Sequence, residues 1–231
     1  FNKEMQQSFR KKDSRKRTLL LPWACGHVQE PGAAYGERRG LLEEAQPAEI
    51  TGFLQRYAGT YQEDRLRNDW LLLLGQRRDW ERFSDQHPHY RMSDDREVQC
   101  YALTIQYMGT TMPAPAIEQV RSNWYGQRNA DDGCTHAAGE LFTAKQISAL
   151  DVWRKARLAV EGNRLRAARD AVTIVAPEML TEVSELHSNP TKYLRSRATA
   201  ASRPRQELMV LGLIRFDRRH PARAAGFLYT Q

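Results

Sequence analysis

Residues 148–175, SALDVWRKARLAVEGNRLRAARDAVTIV, carry the pattern that decides the fold. Ser148 stands at a helix N-cap position, and Asp151 follows at the capping-box position. Gly162 and Asn163 predict a break after the first helix, because Gly and Asn enter the left-handed backbone conformation at the lowest cost. The stretch therefore predicts two helices joined by a tight turn, and Pro177 ends the second helix or begins the next one.

Both helices of this hairpin have an apolar stripe at helical spacing. The stripes consist of Val152, Trp153, Ala156, Ala159 and Val160 in the first helix, and of Leu165, Ala168, Ala171 or Val172, and Val175 in the second. Their many alanines allow the two helices to approach each other closely. One hairpin cannot bury its own apolar face, so we expect further hairpins on either side.

The chain before and after this hairpin repeats the pattern of short amphipathic segments that end at Gly, Asn or Pro. We predict that Gly75 ends one helix and that Ser93 caps another. We also predict that Asn129 caps a third, with Asp132 at its capping-box position. Predicted buried stripes on the first two are Leu66, Trp70, Leu73 and Leu74, then Val98, Tyr101, Ala102, Ile105 and Met108.

Alternation of period two is absent and β-branched residues are sparse, so no strand is predicted. Paired short helices predict an all-α fold, a superhelical α-solenoid of paired antiparallel helices with degenerate, tetratricopeptide-like repeats. Residues 1–40 are expected to form a weakly structured basic segment with the first helices, and residues 41–231 one superhelical domain. The last predicted helix, residues 222–229, leaves Phe227 and Leu228 unmatched, so we expect more protein to follow.

The composition and charge of the chain bear on two classes of function, membrane spanning and nucleic-acid binding. The hydrophobic content is 41%, and no apolar run is long enough to span a bilayer. The net charge of +7 lies mostly at one end: residues 1–40 hold nine basic and four acidic side chains, residues 41–231 hold 26 and 24. The interspersed charges of the body indicate solvated helix faces. A nucleic-acid role for the basic run of residues 10–17, RKKDSRKR, is therefore the weaker interpretation.

The sequence contains no nucleophile elbow, Walker loop, dinucleotide fingerprint or HExxH motif. The Asp94–Asp95 and Asp131–Asp132 pairs are interpreted as helix caps rather than as acid/base carboxylates. His87 and His89 are interpreted as helix-terminal or surface residues. The tryptophans that are interpreted as core residues are Trp70, Trp80, Trp124 and Trp153. We predict no catalytic, cofactor-binding or metal-binding residue in this chain.

The three cysteines, Cys25, Cys100 and Cys134, cannot form a pure disulfide framework and contain no CxxC spacing. Cys100 and Cys134 fall on neighbouring predicted helices, so they could pair in an oxidising compartment. The alternative is two buried thiols at helix contacts.

From about Leu41 to the last residue, the chain resembles the soluble lytic murein transglycosylases, especially their proteobacterial periplasmic members. The segments that carry the resemblance are FLQRYAGTYQEDRLRNDWLLLLGQRRDWERF (53–83), MSDDREVQCYAL (92–103), NADDGC (129–134), DVWRKARLAVEGNRLRAARDAV (151–172) and NPTKYL (189–194).

The resemblance implies that this chain is the N-terminal superhelical domain of such an enzyme, located in the periplasm. A separate lysozyme-like domain of the family cleaves the bond between N-acetylmuramic acid and N-acetylglucosamine in peptidoglycan. One glutamate acts as acid and then as base, and the muramoyl C6 hydroxyl closes a 1,6-anhydro ring. This scheme differs from the two-carboxylate glycosidase mechanism, because the nucleophile belongs to the substrate.

The family's catalytic motif, a Glu-Ser pair followed by a Gly-Leu-Met-Gln stretch, does not occur in this chain: no Glu precedes a Ser, and Gly212-Leu213 continues into Ile214. The resemblance therefore implies a scaffold without catalytic residues, inactive alone, whose partners are peptidoglycan glycan strands and its own catalytic domain. Periplasmic residence would also permit a Cys100–Cys134 disulfide. The alternatives are a tetratricopeptide-like protein-interaction scaffold and a nucleic-acid-binding helical protein.

Overall fold

Eleven α-helices and two short 3-10 segments form the regular structure of the residues that the computed structural model describes, which are 42, 45–196 and 202–219. The predicted all-α class is confirmed, since these residues contain no strand. The predicted basic segment of residues 1–40 and the predicted helix at 222–229 lie outside the described residues.

The described helices follow one another through short connections. They are α1 (Pro47–Arg56), α2 (Tyr61–Gln76), α3 (Trp80–Gln86), α4 (Arg96–Gln106), α5 (Ala114–Gly126), α6 (Gly133–Thr143), α7 (Ala149–Glu161), α8 (Leu165–Val175), α9 (Leu180–Ser188), α10 (Pro190–Ser196) and α11 (Arg203–Arg219). The 3-10 segments are His87–His89 and Pro177–Met179.

The chain divides into two compact units, unit 1 (Phe1–Val98) and unit 2 (Gln99–Gln231). The boundary falls inside α4. The division of the chain into residues 1–40 and a single domain at 41–231 stays a prediction.

Unit 1 buries charged side chains on α2 as well as the predicted Leu66, Trp70 and Leu74. Glu63 and Asp64 at the start of this helix are almost fully buried. The Arg67 guanidinium donates to Glu63 Oε1 at 2.5 Å. Both carboxylate oxygens of Asp64 accept backbone N–H bonds from Arg91 and Met92 at 2.8 Å. These bonds compensate the loss of hydration that makes buried charges costly, and they fix residues 91–92 on α2.

The hairpin of α7 and α8 confirms its sequence pattern in unit 2. The Ser148 side chain accepts a bond from the Asp151 N–H, while the Asp151 carboxylate accepts one from the Ser148 N–H at 2.9 Å. All five residues of the first stripe are buried. In α8 the buried positions are Ala167, Ala168, Ala171 and Val172, whereas the predicted Leu165 and Val175 are half-buried. The turn is made by Asn163, with φ of +58°, whereas Gly162 stays in the right-handed region.

Helices of unit 2 pack mainly against their neighbours in sequence, α5 on α6, α7 on α8, and α9 on α10 and α11. The last described helix, α11, also packs against α7, where Arg157 and Glu207 form an ion pair. The buried Arg215 of α11 donates to Asn163 Oδ1 at 2.5 Å in the α7–α8 turn. This sequential packing is consistent with the predicted superhelical arrangement.

Some predicted details of the stripes and stops were wrong. Gly75 does not end α2; it is buried inside the helix, and the chain turns at Arg78, with φ of +58°. Met108 is exposed beyond the end of α4, and Leu73 is only half-buried. The helix ends decide two of these positions: Arg78 bonds to the Gly75 carbonyl in the turn, and α4 ends at Gln106, before Met108.

Two predicted N-caps were also wrong. Ser93 does not cap α4, because its φ is +47° and its hydroxyl donates to the Tyr90 carbonyl at 3.0 Å. Asn129 does not cap α6, whose N-cap position is Asp132. In each case a nearby aspartate accepts the first helical N–H groups.

Cys100 on α4 and Cys134 on α6 are both fully buried in unit 2. Their Sγ atoms lie 2.07 Å apart and their Cα atoms 5.0 Å apart, so the structure joins the two helices through a disulfide. Oxidation of this pair in the native protein stays a prediction, because it depends on the compartment.

We predict one free thiol per chain, from Cys25, when unreduced protein is unfolded and titrated, and three after reduction. Reduction should lower the free energy of unfolding by about 4 kcal/mol, because the bond closes a loop of 34 residues in the unfolded chain. Urea unfolding with and without reductant measures this difference. A Cys25→Ala variant, with no thiol before reduction, is the control. Three thiols before reduction would show that the pair is not oxidised.

Candidate functional site

The aspartate pairs singled out in the sequence supply helix caps. Asp95 Oδ1 accepts the N–H groups of Glu97 at 2.9 Å and Val98 at 3.1 Å, at the start of α4. Asp131 Oδ1 accepts the N–H of Cys134 at 2.7 Å, at the start of α6. A carboxylate at a helix N-terminus satisfies unpaired N–H groups and interacts favourably with the helix dipole.

The other aspartate of each pair accepts a hydrogen bond from a tyrosine. The Tyr90 hydroxyl donates to Asp94 Oδ1 at 2.7 Å, and the Tyr101 hydroxyl donates to Asp132 Oδ2 at 2.5 Å. Burial, and then the hydrogen bond to Asp94, raise the pKa of Tyr90 above its ordinary value. Asp95 and Asp131 are therefore caps, as predicted, whereas Asp94 and Asp132 accept tyrosine hydroxyls and Asp132 makes no side-chain cap bond.

The two histidines that flank Pro88 lie in the 3-10 segment after α3. His87 is half-buried and stacks on Phe83 with ring centroids 5.6 Å apart, and this burial lowers the pKa of His87. His89 is exposed. Across the described ranges, no group of three or more His, Cys, Asp or Glu side chains is arranged to hold a metal ion.

Three of the four tryptophans interpreted as core residues, Trp70, Trp124 and Trp153, are buried. Trp80 is half-buried, and the Arg78 guanidinium lies 5.6 Å from its ring centroid. The core interpretation thus holds for three of the four rings, and Trp80 departs from it.

Lys155 on α7 is a buried charged residue that sequence reasoning missed. Its side chain is 3% exposed, and its Nζ donates to the backbone carbonyls of Trp124 and Gln127, at 2.7 Å for the latter. These carbonyls end α5, so the ammonium caps the negative end of that helix. The only feature of the sequence that could have indicated this buried lysine is its position beside the apolar stripe. Exposed lysines are also common at that position, so the feature does not distinguish the two cases.

Burial lowers the pKa of Lys155 to about 8, and the negative charge of Asp131 opposes part of this shift. A lysine with a lowered pKa can act as a base or nucleophile when a substrate reaches it. Here the side chain lies inside the packing between α5 and α7 and its Nζ faces two carbonyl oxygens. The geometry therefore supports a structural role in holding the α5–α6 loop.

The outward face of α10 forms the candidate binding surface. Five polar side chains line a depression of about 450 Å³ there, and they are Asn189, Thr191, Lys192, Arg195 and Ser196. Lys192 and Arg195 are both exposed. We call these five residues the α10 surface.

Sequence reasoning did not single out the α10 surface. Its residues fall in the segment NPTKYL and just after it, and two basic residues in a polar stretch are not distinctive. The arrangement becomes visible only when Pro190 and Tyr193 are buried on the other side of the helix.

No described helix is both long and apolar enough to cross a membrane. No protein-family model matches the chain, and no curated protein sequence matches it.

Among solved structures, the chain is similar to the X-ray structure of an inactive mutant of the lytic transglycosylase Slt from Pseudomonas aeruginosa. The similarity covers 98% of this chain and 37% of that chain, with a TM-score of 0.51 and 22% sequence identity. At this level of identity the similarity shows the fold alone. The all-α fold of this chain is thus like that of part of a lytic transglycosylase.

The lowered pKa of Lys155 predicts a specific pH dependence. Between about pH 8 and the ordinary pKa of 10.5, the unfolded chain binds more protons than the folded one. The free energy of unfolding should therefore rise with pH in this window through this residue. The cost of burying the charge is fully present below pH 8 and is relieved as the ammonium loses its proton.

We expect Lys155→Met to lack this contribution. The stability difference between wild type and Lys155→Met should shift in favour of wild type by at least about 1 kcal/mol between pH 8 and 10. Urea unfolding at a series of pH values measures it. Lys145→Met, at an exposed position of the same unit, should show no such trend. A pH-independent difference for Lys155→Met would show that its pKa is not lowered.

Proposed function

We propose that this chain is the superhelical scaffold of a periplasmic lytic transglycosylase. The parent enzyme would cleave the bond between N-acetylmuramic acid and N-acetylglucosamine in peptidoglycan and release 1,6-anhydro products. The observation that supports this proposal most directly is the fold similarity to Slt over 98% of the chain. Segments spread from residue 53 to residue 194 support it independently through their resemblance to the family.

The scaffold would act with a catalytic domain that lies outside these 231 residues. This chain spans 37% of the length of the transglycosylase that it resembles, and it has no Glu-Ser pair. The reaction requires a glutamate that first protonates the leaving oxygen and then accepts a proton from the muramoyl C6 hydroxyl. The described aspartates that could be considered for this role are engaged as helix caps or by tyrosines.

The scaffold itself would hold or guide glycan strands near that catalytic domain. A stack of helices has an extended surface that suits a long polymer. Repeat proteins bind their ligands on extended surfaces of this kind. Residence in the periplasm fits this substrate and also fits the paired Cys100 and Cys134.

We predict that purified sacculi treated with this chain alone release no 1,6-anhydro muropeptides. A longer protein that joins this chain to a catalytic domain of the family should release them. Chromatography and mass spectrometry of the soluble products measure both outcomes. The matched control is the longer protein with the glutamate of its Glu-Ser pair replaced by glutamine, which should be inactive.

Two results would change the proposal. Product release by this chain alone would contradict its role as an inactive scaffold. No release by the longer protein would mean that the similarity reports helical architecture only. A stable protein partner recovered by pull-down, without affinity for sacculi, would then favour the tetratricopeptide-like interaction scaffold.

A further inference from the structure

One side of α10 is fully used in packing. Pro190 and Tyr193 are buried, and the Tyr193 hydroxyl donates to Glu182 Oε2 of α9 at 2.8 Å. A Cβ at Gly212 of α11 would lie 3.1 Å from Leu194 Cδ2, so the two helices are in close contact. This packing fixes the orientation of α10 and turns its other side, the α10 surface, outward.

The positive charge of the α10 surface is uncompensated. Lys192 and Arg195 are exposed, and within the described part of the chain no carboxylate forms an ion pair with either. The neighbouring helix α9 has two acidic side chains. Glu182 accepts the bond from Tyr193 and lies 4.0 Å from Arg205 Nε, and the exposed Glu185 forms no ion pair with Lys192 or Arg195. An anion at the α10 surface would therefore meet two cations for which the described residues provide no ion-pair partner.

Hydrogen-bond donors also dominate at this surface. Asn189 Oδ1 accepts the Lys192 N–H at 3.0 Å, which leaves the NH₂ of Asn189 as the side chain's remaining hydrogen-bonding group. The ammonium of Lys192 and the guanidinium of Arg195 are donors only. A planar carboxylate fits such a set, because charge-assisted N–H···O bonds to it are short and strong.

We propose that the α10 surface binds the carboxylates of the stem peptides on peptidoglycan strands. This inference rests on the proposed function, which makes peptidoglycan the partner. Each stem peptide carries free carboxylates and projects from the glycan, so a surface that binds them would position the strand without contacting the scissile bond. Charge complementarity selects the stem peptides, since the sugar rings of the strand are neutral.

The test compares binding of the full chain to sacculi by co-sedimentation. Lys192→Glu/Arg195→Glu should weaken binding by about tenfold, because two attractive contacts become repulsive. Arg128→Glu/Lys145→Glu is the matched control, with the same change in net charge at exposed positions of unit 2 outside the α10 surface. It should bind within about twofold of wild type. Lys192→Gln/Arg195→Gln, which removes charge without reversal, replaces the first variant if thermal unfolding shows that variant to be misfolded.

Two further measurements identify the ligand group. Carbodiimide and ethanolamine convert the carboxylates of sacculi to neutral amides. We expect wild type to bind these amidated sacculi weakly, with about the affinity that the charge-reversed variant has for native sacculi. Raising the salt concentration from 0.1 to 0.5 M should weaken wild-type binding more than binding of that variant, because screening acts on exposed charges.

Equal binding of the charge-reversed variant and the control would overturn the proposal. So would undiminished binding to amidated sacculi, or no binding of wild type at all. Loss of binding to a 20-nucleotide DNA in the charge-reversed variant, with sacculus binding intact, would assign the surface to nucleic acid instead. These failures are separate from failure of the proposed function, which is measured by anhydro-product release from the longer protein.

Discussion

Close packing of the alanine-lined faces of α7 and α8 is the constraint on which unit 2 depends. Ala156 and Ala159 on one helix and Ala168 and Ala171 on the other are almost fully buried, and their small side chains leave room for little else between the backbones. With this hairpin formed, α7 presents its remaining sides to α5 and to α11. Every other described contact of α7 is therefore positioned by this one interface.

Polar side chains then fasten the ends of the helices around that hairpin. Lys155 reaches from α7 to the carbonyls that end α5, Arg215 reaches from α11 to the α7–α8 turn, and Arg157 pairs with Glu207. Each bond satisfies a group that helix formation leaves without an intrahelical partner, or a charge that burial would otherwise leave unpaired. The core of unit 2 thus combines a nonpolar interior with charged ties at helix ends.

The described residues hold 24 basic and 22 acidic side chains, interspersed along the helices. Several of the acidic side chains are engaged in caps, tyrosine bonds and ion pairs. Two exposed basic side chains, Lys192 and Arg195, lie on the α10 surface.

By itself, the sequence determined the all-α class, the α7–α8 hairpin and its capping box, because helical periodicity and N-cap chemistry act over a few residues. Only the tertiary structure decided that Arg78 makes the turn after α2, that Glu63, Asp64 and Arg67 are buried, and that Lys155 caps α5. Asp64 bonds to residues 91 and 92, and the partners of Lys155 are 28 and 31 residues away along the chain, although Arg67 also pairs with Glu63 within α2. A local sequence pattern does not report contacts between residues that are so far apart along the chain. Intrinsic helix and turn propensities are overridden where burial or a charged hydrogen bond contributes more free energy.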